Sequence, residues 1–233
     1  MGELLGTIAA LREHCPWMGA LTHESLVEYL LEEAYEVAET IETGADEAEL
    51  KGELGDVLLQ VVLHARLAEE RGVFGFGDVA RGLTEKMIRR NPHVFRPDGS
   101  LQDSFPATVE EIVLKWDAVK KAESPQRSTP FEGIPVALPA LAQAQKTLDR
   151  AERAGLPLEG PTTAGFPGRA CEVRGAVGEV ELAETMETEA ELGELLFAVV
   201  SSARSRGFDA ERALRGAIRR YQNRHPETSA PGS

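Results

Sequence analysis

The sequence predicts an all-α protein made of two tandem helical units, and three observations predict it. Apolar residues recur at helical spacing through two consecutive segments, Leu30-Ala34-Val37-Ile41 and Leu50-Leu54-Val57-Val61-Ala65. Between them, Thr43-Gly44-Ala45-Asp46 reads as a helix stop followed at once by a new N-cap. So short a connection makes the two helices antiparallel neighbours. The second half of the chain then repeats the first. Glu191-Leu-Gly-Glu-Leu-Leu-Phe-Ala-Val-Val200 echoes Glu53-Leu-Gly-Asp-Val-Leu-Leu-Gln-Val-Val62, and Ala203-Arg204 echoes Ala65-Arg66. Arg220-Tyr-Gln-Asn-Arg-His-Pro226 likewise echoes Lys86-Met-Ile-Arg-Arg-Asn-Pro92.

The elements follow in chain order. Residues 3 to 13 form a short helix with Leu4, Leu5, Ile8 and Leu11 on one side, and Cys15-Pro16-Trp17 breaks it. Trp17 either lines a base pocket or anchors the turn by burial. Thr22 or Ser25 caps the next helix, Ser25 with Glu28 as a capping box. Thr22, His23 and Ser25 also stand as candidate polar contacts. After the central hairpin, Arg71 to Gly77 is a glycine-rich turn without the P-loop pattern. Asp78 caps a helix whose apolar stripe is Val79, Leu83 and Met87, and Pro92 ends it. Lys86 and Arg90 lie four apart on one face of that helix, with Arg89 beside them. Such a cluster either complements the helix dipole or receives an anion. Residues 96–107 are a polar loop. Thr108 and Glu111 box the start of a helix to about Lys121, on which Trp116 and Lys120 share a face. A Pro/Ser-rich linker, residues 123–139, separates a first unit, 1–122, from a second, 140–233. Residues 157–168 form a Pro/Gly-rich loop, and the last dozen residues a frayed tail.

The chain has 233 residues, a formal charge of −14 and 42% hydrophobic content, enough for a core but adverse to broad binding of a nucleic-acid polymer. A single nucleotide is compatible with that charge if a metal and a few local bases screen its phosphates. Cys15 and Cys171 form no CxxC pair, which fits a reducing cytosol and gives no structural zinc motif. No apolar run approaches the ~20 residues that span a bilayer, and no signal sequence opens the chain, so a cytoplasmic protein without membrane contact is expected.

Two acidic words sit inside the central hairpin, Glu32-Glu33-Ala34-Tyr35-Glu36 and Glu53-Leu54-Gly55-Asp56. Glu33 and Glu36 are three apart, as are Glu53 and Asp56, so each pair shares a helix face beside the apolar stripe. Antiparallel packing brings those faces together. Carboxylates gathered near a core take up protons unless a hard divalent cation neutralises them. A lone Glu-x-x-Glu is usually a solvated helix face; two such words on consecutive helices are a sharper signal. A di-iron bundle would need Glu-x-x-His words, yet Val61 precedes His64 at that interval and Arg90 precedes His93.

These words, with Cys15-Pro-Trp17, Gly52 to Gln60, Glu85 to Phe95, Lys115 to Lys120 and Gly133 to Leu141, resemble the MazG family of all-α nucleoside triphosphate pyrophosphohydrolases in its long, tandem form. The chain departs from the family after Trp17, where Met18-Gly-Ala-Leu21 replaces the usual acid and Gln, so no ligand role falls to Met18 or Leu21. The resemblance implies a homodimer that converts nucleoside triphosphates to monophosphate and pyrophosphate. It implies Glu33, Glu36, Glu53 and Asp56 as ligands of Mg²⁺, with Mn²⁺ as a substitute, and Glu32 either as support behind the ligands or as general base. Lys86 and Arg90 would stabilise developing phosphate charge, and Arg89, Trp116, Lys120 and Trp17 would complete the substrate contacts. A related enzyme of narrower, dUTPase-like specificity and a non-catalytic regulatory protein are the alternatives. In the second half, Glu181 and Glu184 offer only an irregular first word. Glu194 and Arg220 stand where the first half has Asp56 and Lys86, and no Trp follows Trp116. The second site is therefore expected to be weak, and catalysis to belong to the first half.

Overall fold

The computed structural model describes residues 1–105, 108, 109, 111–113, 115, 116, 119, 129–157 and 188–224. Lys120, Cys171, Glu181, Glu184 and nearly all of the expected loop at 157–168 lie outside these. Regular structure among the described residues is helical, apart from one isolated antiparallel bridge between Phe95 and Leu101. The chain divides into two compact units, Met1–Ser124 and Pro125–Ser233.

The first unit opens with α1 (Gly2–His14), which stops at an extended Cys15, and with α2 (Pro16–Ala20), where Pro16 occupies the favoured first helical position. The capping box expected between Ser25 and Glu28 is displaced one turn earlier. Ser25 N donates to Thr22 Oγ1 at 3.1 Å, and Thr22 N donates to Ser25 Oγ at 2.9 Å. The reciprocal bonds wind the chain into α3 (Leu26–Thr43). Gly44 then takes a left-handed conformation, φ 70°, which ends α3 and reverses the chain. Asp46 caps α4 (Glu47–Glu70), its carboxylate accepting from the amides of Ala48 and Glu49 at 2.8 and 2.9 Å. The glycine-rich turn leads to α5 (Phe76–Arg90). Its N-cap is Gly75, not Asp78, which instead sits at the third helical position and accepts from Gly75 N at 3.0 Å.

The core of this unit gathers Ile8, Met18, Leu21, Leu26, Val62, Leu63 and Leu67. Met18 and Leu21, the residues that depart from the family pattern, are thus core residues. Arg12 ties α1 to α4 and α2. Its guanidinium holds Glu70 through two bonds, 2.7 and 3.1 Å, and donates to the carbonyls of Leu21 (3.1 Å) and Met18. The apolar stripes correct the sequence reading. Helical spacing is right, but part of each stripe lies on the surface of the single chain. On α4 the core takes Val62, Leu63, Ala65, Leu67 and Ala68, whereas Leu54 is 52% exposed. No residue of α5 is buried, and Val79, Leu83 and Met87 all face outward. On α3, Ala34 and Ile41 are exposed, and Leu26 and Thr40 are buried instead.

Beyond α5, Arg96 pairs with Asp103 at 2.6 Å, and Glu111 N donates to Thr108 Oγ1 at 3.4 Å. The second unit contains α6 (Ala140–Arg153), α7 (Glu189–Ser205) and α8 (Ala210–Arg224) around Leu148, Val200 and Ala210. Arg204 of α7 binds Asp149 at 2.5 Å and also Glu152, both on α6. Arg150 collects the carbonyls of Pro130, Glu132 and Gly133, fastening that approach segment to α6.

Candidate functional site

Antiparallel packing of α3 on α4 brings one acidic word against the other. Glu33, Glu53 and Asp56 each present a carboxylate oxygen within 4.8 Å of the others. Glu33 and Glu53 are half-buried and Asp56 is exposed, so the group opens to solvent on one side. Glu36, one turn from Glu33, shares a hydrogen bond with it. The arrangement is electrostatically unfavourable as it stands. Burial pushes the proton affinity of Glu33 up, reinforced by Asp56, by the bond from Glu36 and by the charges of Glu36 and Glu53. Burial also raises Glu53, followed by the charges of Glu36, Asp56 and Glu49. Every neighbour acting on the two carboxylates is itself acidic.

Two rigid helices thus hold several oxygen donors around one point, where their mutual repulsion is uncompensated by any of the charges acting on Glu33 and Glu53. That donor set fits a hard divalent cation, which prefers carboxylate oxygens and would offset their repulsion. Glu32 is exposed and does not figure among the groups that perturb Glu33 or Glu53. It lies one residue, and so about 100° of helix, away from the ligand face.

The other expected residues are placed less tightly. Lys86 and Arg90 are half-buried and Arg89 exposed on the last turns of α5, the helix that packs against α4. None of the three is among the charges acting on the carboxylates. Trp17 is 63% exposed, which overturns its reading as a buried anchor. Trp116 is half-buried.

One continuation of the site went unread in the sequence. Glu53, Asp56, Gln60 and His64 follow at intervals of three, four and four, so a polar stripe runs along one face of α4 from the carboxylates toward its C-terminal half. Gln60 is buried at 4% exposure, and no protein group among the described residues bonds its Oε1 or the Nε2 of His64. The signal was available: a Gln and a His recur at helical spacing within an otherwise apolar run.

Comparison with known proteins converges on one family. The MazG nucleotide pyrophosphohydrolase domain matches the chain twice, at residues 21–95 and 170–229. The nucleoside triphosphate pyrophosphohydrolase/pyrophosphatase MazG of Thermotoga maritima is 38% identical over 226 residues, covering 95% of this chain and 82% of that protein. The nucleoside triphosphate pyrophosphohydrolase of Escherichia coli K12 is 36% identical over 217 residues, 91% of this chain and 80% of that protein. A crystal structure of a mazG-related protein from Thermotoga maritima, 28% identical, superposes with a TM-score of 0.44 over 52% of this chain and 99% of its own.

Proposed function

The chain belongs to the MazG nucleotide pyrophosphohydrolase family, and from that premise we propose that it hydrolyses nucleoside triphosphates to monophosphate and pyrophosphate at the carboxylate cluster of its first unit. The observation that carries the reading is the convergence of Glu33, Glu53 and Asp56 from two helices, with Glu36 adjoining. These four carboxylates would hold Mg²⁺, or Mn²⁺ in its place. A bound divalent ion supplies charge neutralisation of the triphosphate and lowers the pKa of the attacking water. The protein's own part is positioning and electrostatics. Glu32, next to the ligand face and solvent-accessible, is assigned either to support the metal ligands from behind or to act as general base. Lys86 and Arg90 of α5 take up charge that develops on the phosphates, with Arg89 beside them. Trp116, Lys120 and Trp17 complete the contacts to the nucleotide. In this reading the protein is a cytoplasmic enzyme of nucleotide-pool housecleaning.

A second copy of the chain completes the assembly. Support comes from apolar stripes that a single chain leaves uncovered: Val27, Leu31 and Tyr35 on α3 are 51%, 51% and 45% exposed, and Val79, Leu83 and Met87 on α5 are 37%, 52% and 40% exposed. Each runs at i, i+4, i+8, the spacing of a helix face made for another helix. No helix among the described residues is long and apolar enough to cross a membrane.

The direct test incubates a panel of canonical and modified nucleoside triphosphates with the protein in Mg²⁺ and in chelator and identifies the products. Monophosphate and pyrophosphate, formed only with the metal, are expected. Diphosphate and phosphate, or undiminished hydrolysis in chelator, would overturn the assignment.

A further inference from the structure

Toward the C-terminal half of α4 lies a polar contact that the proposed reaction does not use. His23, in the turn before α3, stacks on His64 of α4 with ring centroids 5.0 Å apart and planes inclined by 11°. Their Nδ1 atoms approach to 2.7 Å. On the far side of His23, Nη2 of Arg71 lies 2.7 Å from His23 Nε2.

The chemistry of the end member fixes every proton. A guanidinium only donates and stays charged, so His23 Nε2 accepts and the His23 proton sits on Nδ1. That N–H faces His64 Nδ1, which therefore accepts, and the His64 proton sits on its buried Nε2. The result is a one-way chain, Arg71 to His23 to His64, with both imidazoles neutral. A further proton on His64 breaks the chain, because on Nδ1 it would set two N–H groups head to head.

We propose that this chain is a proton-sensitive latch that fixes the start of α3 against α4 and thereby positions Glu33 opposite Glu53 and Asp56. His64 is two turns beyond Asp56 on the same face, ~12 Å along the helix, so a slip of α3 at the latch is carried to the carboxylates by the rigid pair. Apart from Glu24 and Arg71, the surrounding charges are paired elsewhere or exposed. Glu24, exposed, acts on His23 and Arg71. On α4, Arg66 is bound to Glu69 and Glu70, and Glu70 also holds Arg12 of α1. On α5, Asp78 is bound to Arg81, and Glu28 in the first turn of α3 is exposed. Burial, and then His23, hold the His64 imidazole below its ordinary basicity. The folded protein thus binds fewer protons here than the unfolded chain. The contribution is complete above the ordinary imidazole range and is lost as pH falls through it.

The latch itself does not depend on the proposed activity; only its effect on turnover does. Histidine side-chain nitrogen NMR on the full chain at pH 7.5 should find His23 as the Nδ1–H tautomer and His64 as the Nε2–H tautomer. Thermal melts should show wild type losing stability from pH 7.5 to 5.5. His64→Asn keeps an acceptor near the Nδ1 position but cannot titrate, so it should fold at pH 7.5 and lose less on acidification, by about 4 °C in Tm. His23→Phe should start α3 loosely at both pH values, read as faster amide exchange at Leu26 to Leu30. With a nucleotide substrate, kcat of wild type should fall more steeply with acid than that of His64→Asn, at similar KM. His23 in the Nε2–H form at pH 7.5, or identical pH profiles of Tm in wild type and His64→Asn, would overturn the latch. If tautomers and profiles hold while no nucleotide is hydrolysed, the latch stands and the proposed reaction falls.

Discussion

Replacing Asp56 by Asn should cost activity and change stability with a sign that depends on the metal. Two like charges 4.8 Å apart, the bound on the spacing within the carboxylate group, repel by about 0.9 kcal/mol at the dielectric of water and about 3.5 at an effective dielectric of 20. Asp56 is exposed, so the lower figure applies, at about 1 kcal/mol relieved by Asn. For a unit of this size that raises Tm by roughly 3–5 °C in chelator. Metal at a hundredfold excess over its dissociation constant stabilises the wild type by about 2.7 kcal/mol, more than the relief. The order of melting should therefore reverse: Asp56→Asn above wild type in chelator, below it in Mg²⁺. Hydrolysis should fall about 100-fold or more, the scale of removing one preorganised electrostatic group. Paired thermal melts and initial rates read both effects. A variant that melts below wild type by the same margin in both buffers, or that turns over at the wild-type rate, refutes the cluster as a metal site.

The double variant Lys86→Ala/Arg90→Ala should lose at least about tenfold in kcat/KM for a triphosphate with helix content unchanged; steady-state rates equal to wild type would make this face of α5 structural only. Leu83→Glu on the exposed stripe should convert a dimer to a monomer in analytical ultracentrifugation, and a wild type that sediments as a monomer would remove that interface. In the full-length chain, Glu53→Gln should be nearly inactive and Glu191→Gln nearly normal. The opposite ranking of rates would move catalysis to the second unit.

Local signals were the most legible part of the sequence. Gly44 and Asp46 stop one helix and start the next at the expected residues because both act through their own backbone and nearest amides. The two acidic words were legible because short-range spacing sets the face and the tight connection sets the partner. What failed depended on the surroundings. Leu54, Val79, Leu83 and Met87 have core-like spacing, and periodicity alone does not say whether a stripe is covered within the chain. Of the two readings of Trp17, the buried anchor fails because Met18 beside it takes the core position at 7% exposure. The His23–His64 contact joins residues 41 apart, and no local pattern announces a pair at that separation. Ser25 is a sound cap by type, yet Thr22 placed three residues earlier completes the reciprocal bonds first.

The duplicated word Glu-Leu-Gly acquires its meaning from where the helix begins. α4 starts at Glu47, so Glu53 lies in its second turn, past the free amides, with its carboxylate directed to α3 and the acids there. α7 starts at Glu189, so Glu191 is the third helical residue. Its carboxylate accepts from Thr188 N at 3.1 Å while Thr188 Oγ1 accepts from Glu191 N at 3.3 Å, a complete capping box. An anion is stabilised there by the helix dipole as well. Recruiting Glu191 to a metal would release that amide, at a cost of about 1 kcal/mol for the cap, before any other ligand is assembled. The same three letters thus stand in the carboxylate cluster proposed to hold the metal in one unit and at a helix start in the other. This is why Glu191→Gln, which can still accept from the Thr188 amide, is the substitution expected to leave turnover intact.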